Sequence, residues 1–188
     1  PVGVVDHDRP VAGEIEIVFD RSLKDRLKVI LAIDNGGWSM EPYVEFVQTL
    51  FNYAKAQFKD LKTYFFHNTI YGHLWEDPQR RFKPLAVDEL VRLDPDTRFI
   101  IVGDASMAQW ELMAIDGSIH IEERSGKPSY ERLKFIAKTF KHSIWVNPVL
   151  PEYWNYTYST QVIREIFPMF GLTLEGLEKA VTHIMKKN

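Results

Sequence analysis

The chain contains no cysteine, which excludes disulfides, thiolate metal ligands and a cysteine nucleophile. It also fits a reducing compartment such as the cytoplasm. No apolar run approaches the roughly 20 residues of a membrane-spanning helix, so we expect no membrane span. No signal peptide is recognisable. These absences point to a protein that works away from the oxidising cell exterior.

The chain has little net charge, −3 over 188 residues, and its basic residues are scattered. Nucleic-acid-binding proteins concentrate lysine and arginine on one face, so we expect no nucleic-acid partner. The chain also lacks a phosphate-binding loop and a G-x-S-x-G nucleophile elbow. The glycines of "DNGGW" at 34–38 lack the spacing of a dinucleotide-binding fingerprint.

The composition is that of a globular domain, with 45% hydrophobic and 26% charged residues. Residues 1–26 form an irregular lead-in, interpreted as the end of a preceding region, in which "EIEIVFD" at 14–20 is a short strand or an extended arm. Residues 27–188 form one domain, because no linker or repeat divides them.

Strands alternate with helices along this domain. The patterns predict strands at 27–33, 62–68, 70–76, 97–104 and 142–149, and helices at 41–58, 87–93, 106–113, 130–141, 158–167 and 173–186. The short gap between the second and third strands predicts a hairpin. The predicted fold is a doubly wound α/β domain with a mostly parallel sheet, one antiparallel edge strand and helices on both faces.

Polar residues follow the predicted strands at their carboxyl ends, where open α/β sheets form their binding sites. Asp34 ends the first strand and Asp104 ends the fourth, so the two carboxylates should lie close together. A hard divalent cation, Mg²⁺, Mn²⁺ or Ca²⁺, would neutralise them, with the hydroxyls of Ser39, Thr69 and Ser106 nearby. Alternatively, each aspartate caps the helix that follows it.

Five segments of the chain occur in a characteristic order: "IDNGGWSMEPY", "YFFHNTIYGHLWED", "FIIVGDASMAQWEL", "SIWVNPVLPEYW" and "IREIFPMFGLTLEGLEKAV". Together they resemble the von Willebrand factor A (VWA) family, and more closely its bacterial CoxE-like branch. The family binds a cation at its metal-ion-dependent adhesion site, which combines an Asp-x-Ser-x-Ser motif, a threonine and a later aspartate. The resemblance assigns the two aspartate positions to Asp34 and Asp104.

The chain departs from this motif in three ways. Gly36 stands where the first serine is expected, and Ser39 comes one residue late because of Trp38. No serine or threonine occurs from 70 to 96, where the family threonine should lie. The site is therefore degenerate, and Arg80 or Arg81 could supply positive charge in place of a metal.

Three further features carry predictions. His67 is expected to hydrogen-bond to a neighbouring loop. Glu122 and Glu123 are expected to be solvated. The stretch "PEYWNYTYS" at 151–159 is interpreted as a partner-binding surface or as a lid over helix ends.

The resemblance implies a bacterial, cytoplasmic protein-interaction module rather than an enzyme. Such modules often bind a partner carboxylate through the ion, and members of the branch often act with a MoxR-type AAA+ ATPase in maturation or remodelling of complexes. One alternative is a metal-dependent hydrolase of a phosphorylated substrate, since paired aspartates also hold ions in such enzymes. Another is a structural domain with a decayed metal site.

Overall fold

A computed structural model describes residues 27–54, 58 and 60–185. The strands within these residues are β1 (Lys28–Asp34), β2 (Asp60–Phe66), β3 (His73–Trp75), β4 (Pro84–Ala86), β5 (Arg98–Val102), β6 (His142–Asn147) and β7 (Met169–Gly171). The α-helices are α1 (Glu41–Ala54), α2 (Gln109–Met113), α3 (Ser129–Thr139), α4 (Tyr158–Ile166) and α5 (Leu174–Ile184). Single 3₁₀ segments span Val87–Arg92, Ile121–Glu123 and Pro151–Tyr156.

The strands form one sheet in the order β4-β3-β2-β1-β5-β6-β7. The neighbouring strands β2, β1, β5, β6 and β7 pair in parallel, whereas β3 is antiparallel to both β2 and β4. The chain leaves β1 toward β2 and later returns to its other side with β5. Strand order therefore reverses between β1 and β5, which confirms the predicted doubly wound α/β fold.

The sheet is covered on both faces, which explains the continuous apolar sequence of β1. Alternate side chains of this strand point to opposite faces. Ile30 and Ala32 belong to the core beneath α2, α3 and α4, and Leu31 and Ile33 belong to the core beneath α1 and α5. A strand buried on both faces needs apolar residues at every position rather than at alternate ones.

Most predicted elements are present, with differences at the ends and edges. The hairpin is confirmed by antiparallel pairing of Phe65 with Trp75, although six residues separate its strands. Strands β4 and β7 were not predicted, because three residues are too few for a period-two pattern. The segment predicted as a helix at 87–93 is a 3₁₀ helix.

Helix α1 buries a narrower face than its sequence suggests. Val47 is buried, but Tyr43 and Phe46, which lie at helical spacing in the same apolar stripe of the sequence, are exposed. Ser39 does not cap this helix, since its hydroxyl bonds elsewhere and the helix begins at Glu41. The lead-in at 1–26, with its predicted strand, lies outside the described residues.

None of the helices in the described part of the chain is both long enough and apolar enough to cross a lipid bilayer.

Candidate functional site

Asp34 ends β1 as a buried carboxylate, with only 1% of the residue exposed. Its Oδ1 accepts the backbone N–H groups of Gly36 at 2.9 Å and Asn68 at 3.1 Å. Its Oδ2 is buried and has no hydrogen-bond partner among the described residues. Burial raises the pKa of Asp34 to about 8, the two N–H groups oppose this shift, and the negative charge of Asp104 adds to it. At pH 7 the side chain is therefore mostly protonated.

Asp104 follows β5, the neighbour of β1, as the sequence predicted. Its Oδ2 accepts the Ser39 hydroxyl at 2.8 Å, and its Oδ1 accepts the Ser106 N–H at 2.9 Å. The two strand ends approach closely, because a Cβ added to Gly103 would lie 3.1 Å from the Cβ of Asp34. Asp34, Ser39 and Asp104 thus meet in one crevice where strand order reverses.

Gly36 has a steric reason to be glycine. A Cβ at this position would lie 1.7 Å from Cδ2 of His67 and 2.8 Å from its Cα. Atoms cannot approach so closely, so the serine of the VWA motif does not fit in this backbone. The position that should bring a hydroxyl to an ion is filled instead by an imidazole ring.

His67 is a packed histidine rather than a hydrogen-bonded one at Nδ1, which is buried without a partner in the described chain. Its ring meets the ring of His120 edge to face, with 4.9 Å between centroids. Burial, followed by the positive charge of Arg80, lowers the pKa of His67 to about 4. At neutral pH the ring is therefore uncharged.

Thr69 and Ser106, the other two residues predicted to bring hydroxyls to the site, do not bond to the aspartates through their hydroxyls as Ser39 does. The Thr69 and Ser129 hydroxyl oxygens lie 2.5 Å apart and share a hydrogen bond, and Ser129 also donates to the Ile70 carbonyl. Thr69 is thereby engaged at the start of α3 rather than with the aspartates. Ser106 contacts Asp104 through its backbone N–H, and the residue is exposed.

Arg80 lies beside the crevice, but its partners are not the two aspartates. It donates to Oδ1 of Asn35, and its Nε lies 3.7 Å from Oε1 of Glu123. Arg81 contributes its backbone N–H to the carboxylate of Asp77. The expected bridging of both aspartates by a guanidinium is therefore absent from the contacts of these two arginines.

The prediction that Glu123 is solvated is wrong, since only 6% of the residue is exposed. Burial raises its pKa to about 7, while Arg80 and the Ser118 hydroxyl oppose that shift. Glu122 is exposed, as expected. The turn at Ile121–Glu123 packs Glu123 against Arg80 and Ser118. No local pattern in "HIEERSG" indicates this burial.

A second buried carboxylate adjoins the crevice and was not predicted. Glu111 is 8% exposed and accepts Asn68 Nδ2 at 3.0 Å, the Tyr71 hydroxyl at 3.2 Å and the Ala108 N–H at 3.0 Å. It ties α2 to the loop that also supplies the Asn68 N–H to Asp34. Its place in "QWELM" is that of an ordinary first-turn glutamate, so no pattern in the sequence indicates its burial.

Two open cavities lie near the crevice, one beside Asp104 and the other beside Trp38. One, of about 420 Å³, is lined by Asp104, Ser106 and the turn that carries Tyr153 and Tyr156. The other, of about 470 Å³, is lined by Trp38 and the first two turns of α1. Trp38 is 88% exposed and Tyr156 is 83% exposed. Trp154 is buried, so the stretch 151–159 combines a packed anchor with exposed tyrosines.

The described residues contain no cluster of three or more histidine, aspartate or glutamate side chains placed to hold a metal. The potential oxygen donors for a cation are the free Oδ2 of Asp34, the Asp104 carboxylate and the Ser39 hydroxyl. Three such oxygens suit Mg²⁺ or Mn²⁺ when water completes the coordination. The fit is partial, because Gly36 has no hydroxyl and Thr69 is bonded to Ser129.

Comparison of the chain with protein-family models, with curated proteins and with solved structures gives no match.

Proposed function

We propose that this chain is a protein-interaction module of the VWA type, similar to the CoxE-like branch, with a degenerate metal-ion-dependent adhesion site. One observation carries the proposal. A buried aspartate, one of whose oxygens has no hydrogen-bond partner among the described residues, lies beside a second aspartate at the switch point of a doubly wound sheet. A buried carboxyl without its full set of hydrogen bonds is costly to keep for stability alone.

The proposed ion is a divalent cation, Mg²⁺ or Mn²⁺, with Ca²⁺ as a third choice. Asp34, Ser39 and Asp104 are its proposed protein ligands. Thr69 stands outside this set because its hydroxyl is bonded to Ser129, and Ser106 contacts Asp104 through its backbone N–H. The ion would supply positive charge to the crevice. The side chains hold the two carboxylates at a fixed spacing and exclude water from Asp34.

The proposed partner is a protein, and the resemblance favours a MoxR-type AAA+ ATPase in the bacterial cytoplasm. The exposed aromatic residues beside the crevice support protein recognition, because tyrosine and tryptophan are favoured at interfaces. Trp38, Tyr153 and Tyr156 are such residues. Any ATP hydrolysis belongs to the partner, since the chain has no phosphate-binding loop.

A structural domain with a decayed metal site is the second candidate, and the packing of His67 over Gly36 favours it. In that case the crevice would bind no ion. The hydrolase alternative draws no support from a specific contact in the crevice.

Calorimetric titration with Mg²⁺, Mn²⁺ and Ca²⁺ separates the two candidates. The proposed site predicts binding of one ion to the wild-type chain and loss of that binding in Asp34→Ala. Thr69→Val is the matched control and should bind as the wild type does, because its hydroxyl faces Ser129. No heat with any ion, while Asp34→Ala folds normally, would establish the decayed site.

A further inference from the structure

The two cavities beside the crevice share an unusual lining. The first contains Asp104 and three aromatic residues, and the second contains Trp38 with Glu41 and Glu45. No lysine, arginine or histidine lines either cavity among the residues that the structure describes. Both cavities are therefore acidic and aromatic, which is the chemistry that attracts organic cations.

The tyrosines of the first cavity are arranged as two accessible walls. The rings of Tyr153 and Tyr156 lie 6.3 Å apart between centroids and are inclined by 42°. They are 50% and 83% exposed. The neighbouring Trp154 carries the Arg164 guanidinium 5.5 Å from its ring centroid. This turn thus already stacks one cation within the chain, on the residue between the two tyrosines.

The Asp104 carboxylate has no cationic partner among the ion pairs of the described residues. Its two oxygens accept from neutral groups, the Ser39 hydroxyl and the Ser106 N–H. Arg80, which lies beside Asn35, is paired with Glu123. A partly exposed carboxylate at the mouth of an aromatic cavity forms charge-assisted hydrogen bonds most strongly with a cation.

We propose that the crevice binds a basic segment of the partner protein, with an arginine or lysine side chain seated between Asp104, Tyr153 and Tyr156. A second basic side chain of the same segment enters the cavity of Trp38, Glu41 and Glu45. The inference rests on the proposed function and specifies its partner. In the family that the chain resembles, the ion often binds a carboxylate of the partner. Here the partner itself carries the positive charge, and it competes with a metal ion for Asp104.

The test is a nuclear magnetic resonance titration of the ¹⁵N-labelled full chain, first in EDTA and then in Mg²⁺ without EDTA. The probes are acetyl-Gly-Arg-Gly-Arg-Gly-amide, its lysine and glutamate analogues, and spermidine as a free polyamine. The arginine or lysine peptide should shift the amide signals of Ser106, Tyr156 and Thr157. Tyr156→Ala and Asp104→Asn should weaken binding at least fivefold. Tyr158→Ala, an exposed tyrosine outside the cavity lining, should bind as the wild type does.

Three results would overturn the inference. The first is no shift with either basic peptide, the second is binding of the glutamate peptide that requires Mg²⁺, and the third is tighter binding of spermidine than of the peptides. Failure of the inference is distinguishable from failure of the proposed function. An ion that binds at Asp34, or a partner that binds the chain without basic side chains, would leave the interaction module standing.

Discussion

The sequences at the two strand ends of the crevice are similar, "AIDNGG" at the end of β1 and "IVGDAS" at the end of β5, but their aspartates have different environments. Asp34 is buried and held by two backbone N–H groups, and one of its oxygens has no partner among the described residues. Asp104 is partly exposed and both its oxygens accept hydrogen bonds. Two copies of one local pattern therefore give one buried carboxyl group and one accessible carboxylate.

This difference assigns separate tasks to the two carboxylates. The buried Asp34 makes the crevice sensitive to pH, because desolvation disfavours its charged form. The accessible Asp104 presents an acceptor at the mouth of the tyrosine cavity, where a partner can reach it. The comparison can be tested by changing each end on its own.

The largest effect should come from closing the space beside the first strand end. Gly36→Ala places a methyl group on the ring and backbone of His67, so unfolding free energy should fall by about 3 kcal/mol. His67→Ala should rescue only part of this loss, because the His67 Cα also lies within 2.8 Å of the new Cβ. Chemical denaturation of the single and double variants measures both effects.

Gly171→Ala is the matched control for this substitution. A Cβ there would meet its nearest neighbour, Pro151 Cγ, at an ordinary 3.7 Å. Its stability should stay within about 0.5–1 kcal/mol of the wild type. Equal losses in the two variants would show that the packing of His67 over Gly36 is not the reason for the glycine.

The stability of the protein should depend on pH because the carboxyl group of Asp34 is buried. A carboxyl whose folded pKa of about 8 exceeds its ordinary 3.8 stabilises the protein fully below pH 4, and this contribution is lost as the pH rises to 8. Between pH 7 and pH 8, in EDTA, the wild type should lose about 1 kcal/mol, since one proton amounts to about 1.4 kcal/mol per pH unit. Asp34→Asn should not show this loss.

The pH window is chosen to separate Asp34 from its neighbours. The pKa of Glu123 is raised to about 7, which gives the same sign at lower pH. The pKa of His67 is lowered to about 4, so its contribution grows between pH 4 and 6.5 and is complete above that range. Denaturation midpoints at pH 7 and pH 8 for wild type, Asp34→Asn and the exposed control Asp60→Asn measure the contribution of Asp34. If Asp34→Asn loses as much stability over this range as the wild type does, a group other than Asp34 causes the pH dependence.

The smallest expected change in stability distinguishes the two serines that contact the Asp104 carboxylate. Ser39→Ala removes the hydroxyl that donates to Asp104, so stability should fall by about 0.5–1 kcal/mol. Ser106→Ala keeps the backbone N–H that bonds Asp104, so its stability should be unchanged. Thermal denaturation of both variants measures the difference. Similar losses would mean that the side chain of Ser106 matters as well.

The fold was predictable because its central strands are buried on both faces. The apolar runs of β1, β5 and β6 indicated a parallel sheet, and the short spacing after β2 indicated the antiparallel hairpin. The three-residue strands β4 and β7 carry too little pattern to be recognised. The exposure of Phe46 on α1 does not follow from the sequence, because Phe46 continues an apolar stripe that the other described residues leave uncovered.

The site was predictable only where it lies at strand ends. Topology alone brought Asp34 and Asp104 together, and Ser39 came with them. The burial of Glu111 and Glu123 depends on loops that fold back from distant parts of the chain, and single-sequence patterns do not contain that information. The turn of Thr69 toward Ser129 likewise depends on where α3 begins.

The most direct test of the proposed interaction module is its binding to its proposed partner, a MoxR-type AAA+ ATPase, measured by calorimetry in EDTA and in Mg²⁺. The proposal predicts binding by the wild-type chain and at least tenfold weaker binding by Trp38→Ala and Asp104→Asn. Phe46→Ala, which removes an exposed aromatic ring that lines neither cavity, should bind as the wild type does. No binding, or equal binding by all the variants, would contradict the assignment of this crevice as the partner site.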